Sequence, residues 1–376
     1  MTESTRIATE IDVASFRLAP EAFAPIDVVL AIKSQDQIDR RRRLIEALRG
    51  GRIGRIEERP IAEGLVVAAT LRPGQRVDRG SAALVRTHRE PRGIALLDGG
   101  AMLVAEIDRV LHLDAMGEIL REYRHPLFGF LHSVELSADR RRALVVSSGY
   151  DTVMELDLGT GVILWDWTSW EHGFNPGEDG IYLARSDVRF RELVEQGLPA
   201  RLVEPERLGA HGLMTSARTN HPNSACYHPR DPGKVLATLG HSGDVIEIER
   251  PSGAWRRAVS GLAAMPHGIM ARDDGWLVTD TLRGACWFLS ANFELEQKLA
   301  FNRLPGKPAE LAENEWLQSV HALGDGVLLG LDANRGLILV RPAERVYAVV
   351  PVDEQWCVHC CVSAVPHPRG TLGASR

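Results

Sequence analysis

The feature that most constrains this chain is a pattern that recurs along it. In its clearest copy, His267-Gly268-Ile269-Met270-Ala271 leads into the turn Arg272-Asp273-Asp274-Gly275. Trp276-Leu277-Val278-Thr279-Asp280, the turn Thr281-Leu282-Arg283-Gly284, and Ala285-Cys286-Trp287-Phe288-Leu289 follow. Short apolar runs bounded by Asp and Gly read as strands joined by tight turns. Related copies begin at Arg92, His132, Asn223 and Gln318, and an unfinished one begins at His359. Copies spaced by about 40–50 residues, each of three or four short strands, specify a β-propeller.

A last copy that stops after one strand would leave a sheet edge open. Two strand-like runs near the N-terminus, Gly64–Ala69 and Ala82–Arg86, belong to no copy of their own. Pairing them with the run at His359 closes the ring. The expectation is therefore an all-β, six-bladed β-propeller over 61–376, closed by strands within 62–87, with five blades as the alternative. Residues 1–60 form an N-terminal extension, irregular up to about residue 25. From Ile26 to Arg49 the apolar spacing is helical, Gly50-Gly51 would stop the helix, and the Arg40–Arg43 run inside it reads as a solvated face.

The repeat breaks once, over 168–220, between the second and third blades. This insertion holds Trp170-Glu171-His172-Gly173-Phe174, a helix expected from Asp187 to Gln196, and Gly209-Ala210-His211-Gly212. Loops this long are uncommon unless functional, so a lid or substrate-binding element over the channel mouth is expected. The segment Pro366–Arg376 is rich in Pro, Gly and Ser and is expected to fray.

A formal net charge of −6 gives no electrostatic case for nucleic acid. No apolar run approaches the ~18–20 residues that span a bilayer, and no charged-then-apolar leader opens the chain, so no membrane partner is expected. Five cysteines, three of them within Cys357–Cys361, argue against a secreted disulfide framework and for a reducing cytoplasm. Within that strand, period-two parity puts Cys357, His359 and Cys361 on one face and Cys360 on the other, as small apolar residues rather than a zinc site.

The chemistry lies in the aligned first positions, Arg92, His132, Asn223, His267, Gln318 and His359. First strands line a propeller's channel, so these side chains should face one another near one mouth. His221, two residues before Asn223, should share its face, whereas His321, three after Gln318, should point away unless the strand is bulged. Imidazoles converging from several strands suit a first-row transition metal, whereas calcium and magnesium prefer oxygen. His132, His221, His267 and His359 are the candidate metal ligands, and His321, Arg92, Gln318 and Asn223 the candidate catalytic or substrate-contacting residues. Arg92 could grip a small anion. Glu135 and Glu171 are acidic candidates, while Asp280 and Asp332, both at second-strand ends, suggest turn chemistry.

The blades resemble the six-bladed propellers of the NHL, SMP-30/gluconolactonase and strictosidine-synthase-like superfamily. His221-Pro222-Asn223-Ser224 and Met265-Pro266-His267-Gly268 are similar to paired motifs in bacterial propellers of unassigned function. Gluconolactonase-like relatives hold calcium through Glu, Asn and Asp. Here Asn223 could match that Asn, but His and Gln stand where the carboxylates would be. The expected function is accordingly an enzyme acting on a small organic substrate, an anion among the candidates, by oxidative chemistry at a histidine-bound metal. Iron is the first choice, with zinc or copper next. The alternatives are a metal-assisted hydrolase or lyase, and a metal-free propeller that binds a small anion.

Overall fold

The computed structural model describes residues 9–49, 60–263, 265–309 and 315–363. Among the described residues, six sheets form the ring, each a meander of four antiparallel strands, and two of them gain a fifth strand. The blades run in chain order from 93–123, 131–168, 222–259, 267–300 and 317–350, and the sixth joins the two ends of the chain. Each innermost strand touches the innermost strands on either side, from Gly93–Leu96 round to Val358–Ser363 and back to Gly93–Leu96, so the ring is closed. This is the six-bladed propeller; the five-bladed alternative is set aside.

Closure follows from where apolar surface must go. In the sixth blade, Val358–Ser363 pairs with Ile26–Ile32, which pairs with Glu63–Leu71, which pairs with Leu84–Arg89. Ile26–Ile32 is thus a strand, not the start of the expected helix. Its sequence, Ile-Asp-Val-Val-Leu-Ala-Ile, is buried on both faces from Val28 onward, and such a run carries no period that separates strand from helix. Burying Val28, Leu30 and Ile32 contributes roughly 1.5–3 kcal/mol each. The helix occupies only Gln37–Arg49. Within its arginine run, Arg42 pairs with Asp39 and Arg43 with Asp36. Gly50 and Gly51, proposed as its stop, and the Pro366–Arg376 tail lie outside the described residues.

The stretch expected to be irregular also contributes. Thr9–Asp12 and Arg17–Leu18 add parallel strands to the outer edges of the fourth and fifth blades. Among the described residues, six apolar clusters each lodge chiefly between two neighbouring blades. The insertion carries a helix over Asp187–Glu195, capped by the Ser186 side chain, and a two-stranded parallel sheet of Tyr182–Ala184 with Ala200–Leu202. Its Leu183, Val203 and Leu213 pack with Tyr150 in the core between the first two blades. No helix among the described residues is long and apolar enough to cross a membrane.

Candidate functional site

Five of the six innermost strands share an irregularity at one level, and Gly93–Leu96 pairs without it. In Leu131–Leu136, Pro222–Tyr227, Leu317–Gly324 and Val358–Ser363 the pairing slips by one residue, and the extra residue is His132, Asn223, Gln318 and His359 in turn. In His267–Ala271 the slip falls between His267 and Met270, where Gly268 takes φ +61°. A bulge leaves one residue unpaired and re-aims its side chain. Repeated around the ring, it gathers these side chains at one end of the channel.

The bulges also overturn the parity argument. His359 and Cys360 both line the channel, while Cys361 is packed into the core. Gln318 and His321 both line it as well, and His321 Nε2 lies 2.8 Å from Ser319 Oγ.

A cavity of about 550 Å³ occupies the channel. Arg92, His132, Asn223, His267, Gln318 and His359 wall one end, and Leu96, Ala138, Arg140 and Val362 wall the other. His132 is central, its ring centroid 4.5 Å from that of His359 and 5.0 Å from that of His267. His221 is 6.0 Å from His132 but does not line the cavity. It precedes its strand with φ +52°, outside the period-two pattern on which its assignment rested.

Hydrogen bonds fix what each ring offers. His267 Nδ1 lies 2.8 Å from the Met265 carbonyl, which accepts only, so that nitrogen carries the proton and Nε2 keeps its lone pair. His359 Nδ1 likewise donates to the Arg92 carbonyl at 2.8 Å. Trp316 Nε1 donates to Gln318 Oε1 at 2.8 Å, which turns the Gln318 amide NH₂ toward His359 Nε2 at 3.5 Å. Asn223 Nδ2 donates to the Pro266 carbonyl at 3.0 Å, leaving Oδ1 buried with no partner. His221 is the opposite case. Arg218 donates to its Nδ1 at 2.7 Å, so its proton sits on Nε2.

Burial holds these imidazoles neutral. It drives His267 down to about 3, and it pushes His132 and His359 well below the ordinary range, helped for His132 by His267, for His359 by His132, and for both by Arg92 and Lys33. For His221 burial dominates, and Arg218 adds to it.

Arg92 differs from its expected role as a free anion clamp. It pairs with Glu90 at 2.9 Å, both fully buried, and its guanidinium lies 3.7 Å over the Phe130 ring. Glu135 lines the channel. Glu171 lies in the insertion, 3.5 Å from Arg185. Asp280 and Asp332 accept backbone N–H groups and pair with Arg283 and Arg335 across their turns.

The sequence did not single out Arg218, Lys33, Trp316 or Asp151. The Asp151 carboxylate accepts from the backbone of Thr219, Asn220 and His221, at 2.5, 3.3 and 2.7 Å, and from Thr219 Oγ1. It thereby places Arg218 and His221. The nearness of Arg218 to His221 in sequence was the one available signal. Among the described residues, no three His, Cys, Asp or Glu side chains stand, as placed, in an arrangement that would hold a metal ion.

No family model and no curated protein matches the chain. A solved structure of a protein of unknown function from Bacteroides caccae is similar over 90% of this chain and 98% of its own, with a TM-score of 0.56 and 12% identity. The β-propeller domain of Myceliophteria thermophila Cps50 (Swd1) covers 66% of this chain and 63% of its own, at a TM-score of 0.40 and 14% identity. The first likeness extends over nearly the whole propeller and speaks for the fold alone.

Proposed function

We propose that the histidine end of the channel binds a transition metal through His132, His267 and His359, with Asn223 Oδ1 beside them, and that the protein is an enzyme acting there on a small organic substrate. The observation that carries this is a set of acceptors turned toward one point: His267 and His359 each commit Nδ1 to a backbone carbonyl and so keep the Nε2 lone pair, and Asn223 Oδ1 is buried and unpartnered. The Gln318 amide, 3.5 Å from His359 Nε2, would have to yield to the metal. Tying Nδ1 to a carbonyl is how metal-binding histidines are commonly oriented. His221 is left out of the set because Arg218 occupies its Nδ1. Iron or copper would supply redox chemistry and zinc a water activated at neutral pH for hydrolysis or elimination. The chain itself supplies neutral imidazoles, a Gln318 amide held by Trp316, and a lower chamber where Ser319, His321 and Glu135 can orient substrate. Five free thiols suit a reducing, cytoplasmic setting. Kinship with the NHL and SMP-30/gluconolactonase propellers rests on the short motifs alone.

A second reading, a metal-free site for a small anion, is favoured by the charge of Lys33, which acts on His132, His267 and His359 alike. Elemental analysis of untagged protein, repeated on His132→Ala and His267→Ala, separates the two. About one iron or copper per chain, lost in both folded variants, supports the oxidative reading, and zinc moves it to hydrolysis or elimination. No metal after reconstitution, with both variants folded, overturns the metal centre.

A further inference from the structure

The insertion leaves the outermost strand of the second blade at Thr168 and rejoins the innermost strand of the third at Pro222. In a four-stranded meander the last strand ends on the face where the next first strand begins. The insertion therefore sits on the histidine side of the ring. There it is locked down. Phe130 N–H donates to Ala210 O and Leu213 N–H to Gly149 O, both at 2.8 Å, and Tyr150 OH reaches Gly209 O at 3.1 Å. A Cβ on Gly212 would lie 2.3 Å from Gly149 O, so the two backbones meet at a separation only glycine allows. Beneath, Arg218, Asn220 and His221 are all buried.

The cavity continues the other way. From the histidines it runs past Met270 and His321 to Ala138 and Arg140, and both of these are solvent-exposed. Arg140 leans across this end from the second blade to the first, donating to Leu96 O at 3.1 Å and pairing with Asp98 at 3.1 Å. Asp98 is 90% exposed, and pairs this open to water contribute only ~0–1 kcal/mol. Arg140 can therefore swing at little cost, whereas the insertion cannot lift without breaking buried contacts.

We propose that small molecules reach the histidine layer from the face opposite the insertion, with Arg140 as the gate at that entrance and the insertion as a fixed cap. The proposal concerns the route and stands whether or not a metal is bound. Cys360, a half-buried thiol in the channel wall, reports on it directly. The other four cysteines are buried. Labelling with N-ethylmaleimide is followed by mass spectrometry at one fixed, mildly alkaline pH. Ala138→Trp and Arg140→Trp, each checked for fold by circular dichroism, should slow Cys360 labelling several-fold, and Arg140→Ala should speed it. Met214→Trp, on an exposed position of the insertion, should leave it unchanged. Unchanged labelling in both folded tryptophan variants at the gate, or slowing by Met214→Trp alone, would overturn the route. Because the readout is a thiol, failure of the route and failure of the metal centre are separate results.

Discussion

Arg218 donates a hydrogen bond from its guanidinium to Nδ1 of His221 at 2.7 Å, inside a region closed to solvent. The arginine also donates to the carbonyls of Leu213 and His211 and stacks on Phe130, with its carbon 4.6 Å from the ring centroid. Burial lowers it to about 10, and the Asp151 carboxylate opposes that shift. An always-donating group against Nδ1 leaves His221 a single neutral tautomer, protonated on Nε2.

Arg218→Met should release that tautomer. Long-range nitrogen–proton correlation spectra of the imidazoles are expected to show His221 protonated on Nε2 in the parent and mixed in the variant. Stability should fall as well, because the variant leaves the buried Asp151 carboxylate without the neighbouring cation and the Leu213 and His211 carbonyls without their donor. Arg218→Ala also leaves a void beside Phe130 and should cost about 2–4 kcal/mol in urea unfolding. A His221 tautomer unchanged in Arg218→Met would mean that packing, not the arginine, orients the ring.

Closure of the ring should depend on Ala31 more than its size suggests. Ala31 is paired on one side with Cys360 and on the other with Val66, so it sits in the middle of the seam between the chain's two ends. Proline there removes an N–H from the sheet interior and should cost about 3 kcal/mol or more. Ala31→Pro is expected to lower the unfolding midpoint sharply and to expose the sixth blade to protease before the others. Ala31→Val, which keeps the N–H, isolates the backbone effect from any crowding.

The blades were legible because each repeats its own turn chemistry: the Asp and Gly residues that end one strand and start the next are local signals. Ile26–Ile32 was not, because a strand buried on both faces loses the alternation that marks strands, and its apolar steps fit a helix equally well. The site was half legible. Alignment of the copies brought out Arg92, His132, Asn223, His267, Gln318 and His359, which do share one end of the channel. Their bulges were invisible, so parity misplaced Cys360 and left His321 undecided. Arg218 and Asp151 act across the junction of blade and insertion, a contact that no repeat encodes.

His321 should give the protein a measurable acid sensitivity. Burial depresses its imidazole to about 4, below the ~6.5 of an unfolded chain. A folded-state value below the unfolded one means the unfolded chain binds more protons as pH falls. The stabilisation is therefore complete above about 6.5 and is lost progressively down to about 4. The ring borders the channel, so its contribution is on the order of 1–3 kcal/mol after allowance for screening. Urea unfolding at pH 7 and pH 4.5 should show a smaller stability difference for His321→Gln than for the parent. An equal difference would assign the acid sensitivity to the other buried histidines.

Trp316 governs the one amide that faces the histidine lone pairs. Its Nε1–H can only donate, so Gln318 must present Oε1 to it and the NH₂ to His359 Nε2. Trp316 also lies against His267, with ring centroids 6.2 Å apart. Trp316→Phe keeps most of that contact and removes the donor, so the amide is no longer fixed against that nitrogen. One lone pair cannot accept the amide N–H and bind a metal at once, so Gln318 competes with a metal for His359. Titration of apo protein with cobalt(II), followed by its visible bands, should show tighter binding in Gln318→Leu, which removes the competing donor, and a smaller gain in Trp316→Phe. A gain in Gln318→Leu without one in Trp316→Phe would mean that the amide acts on its own and that the tryptophan serves only as packing.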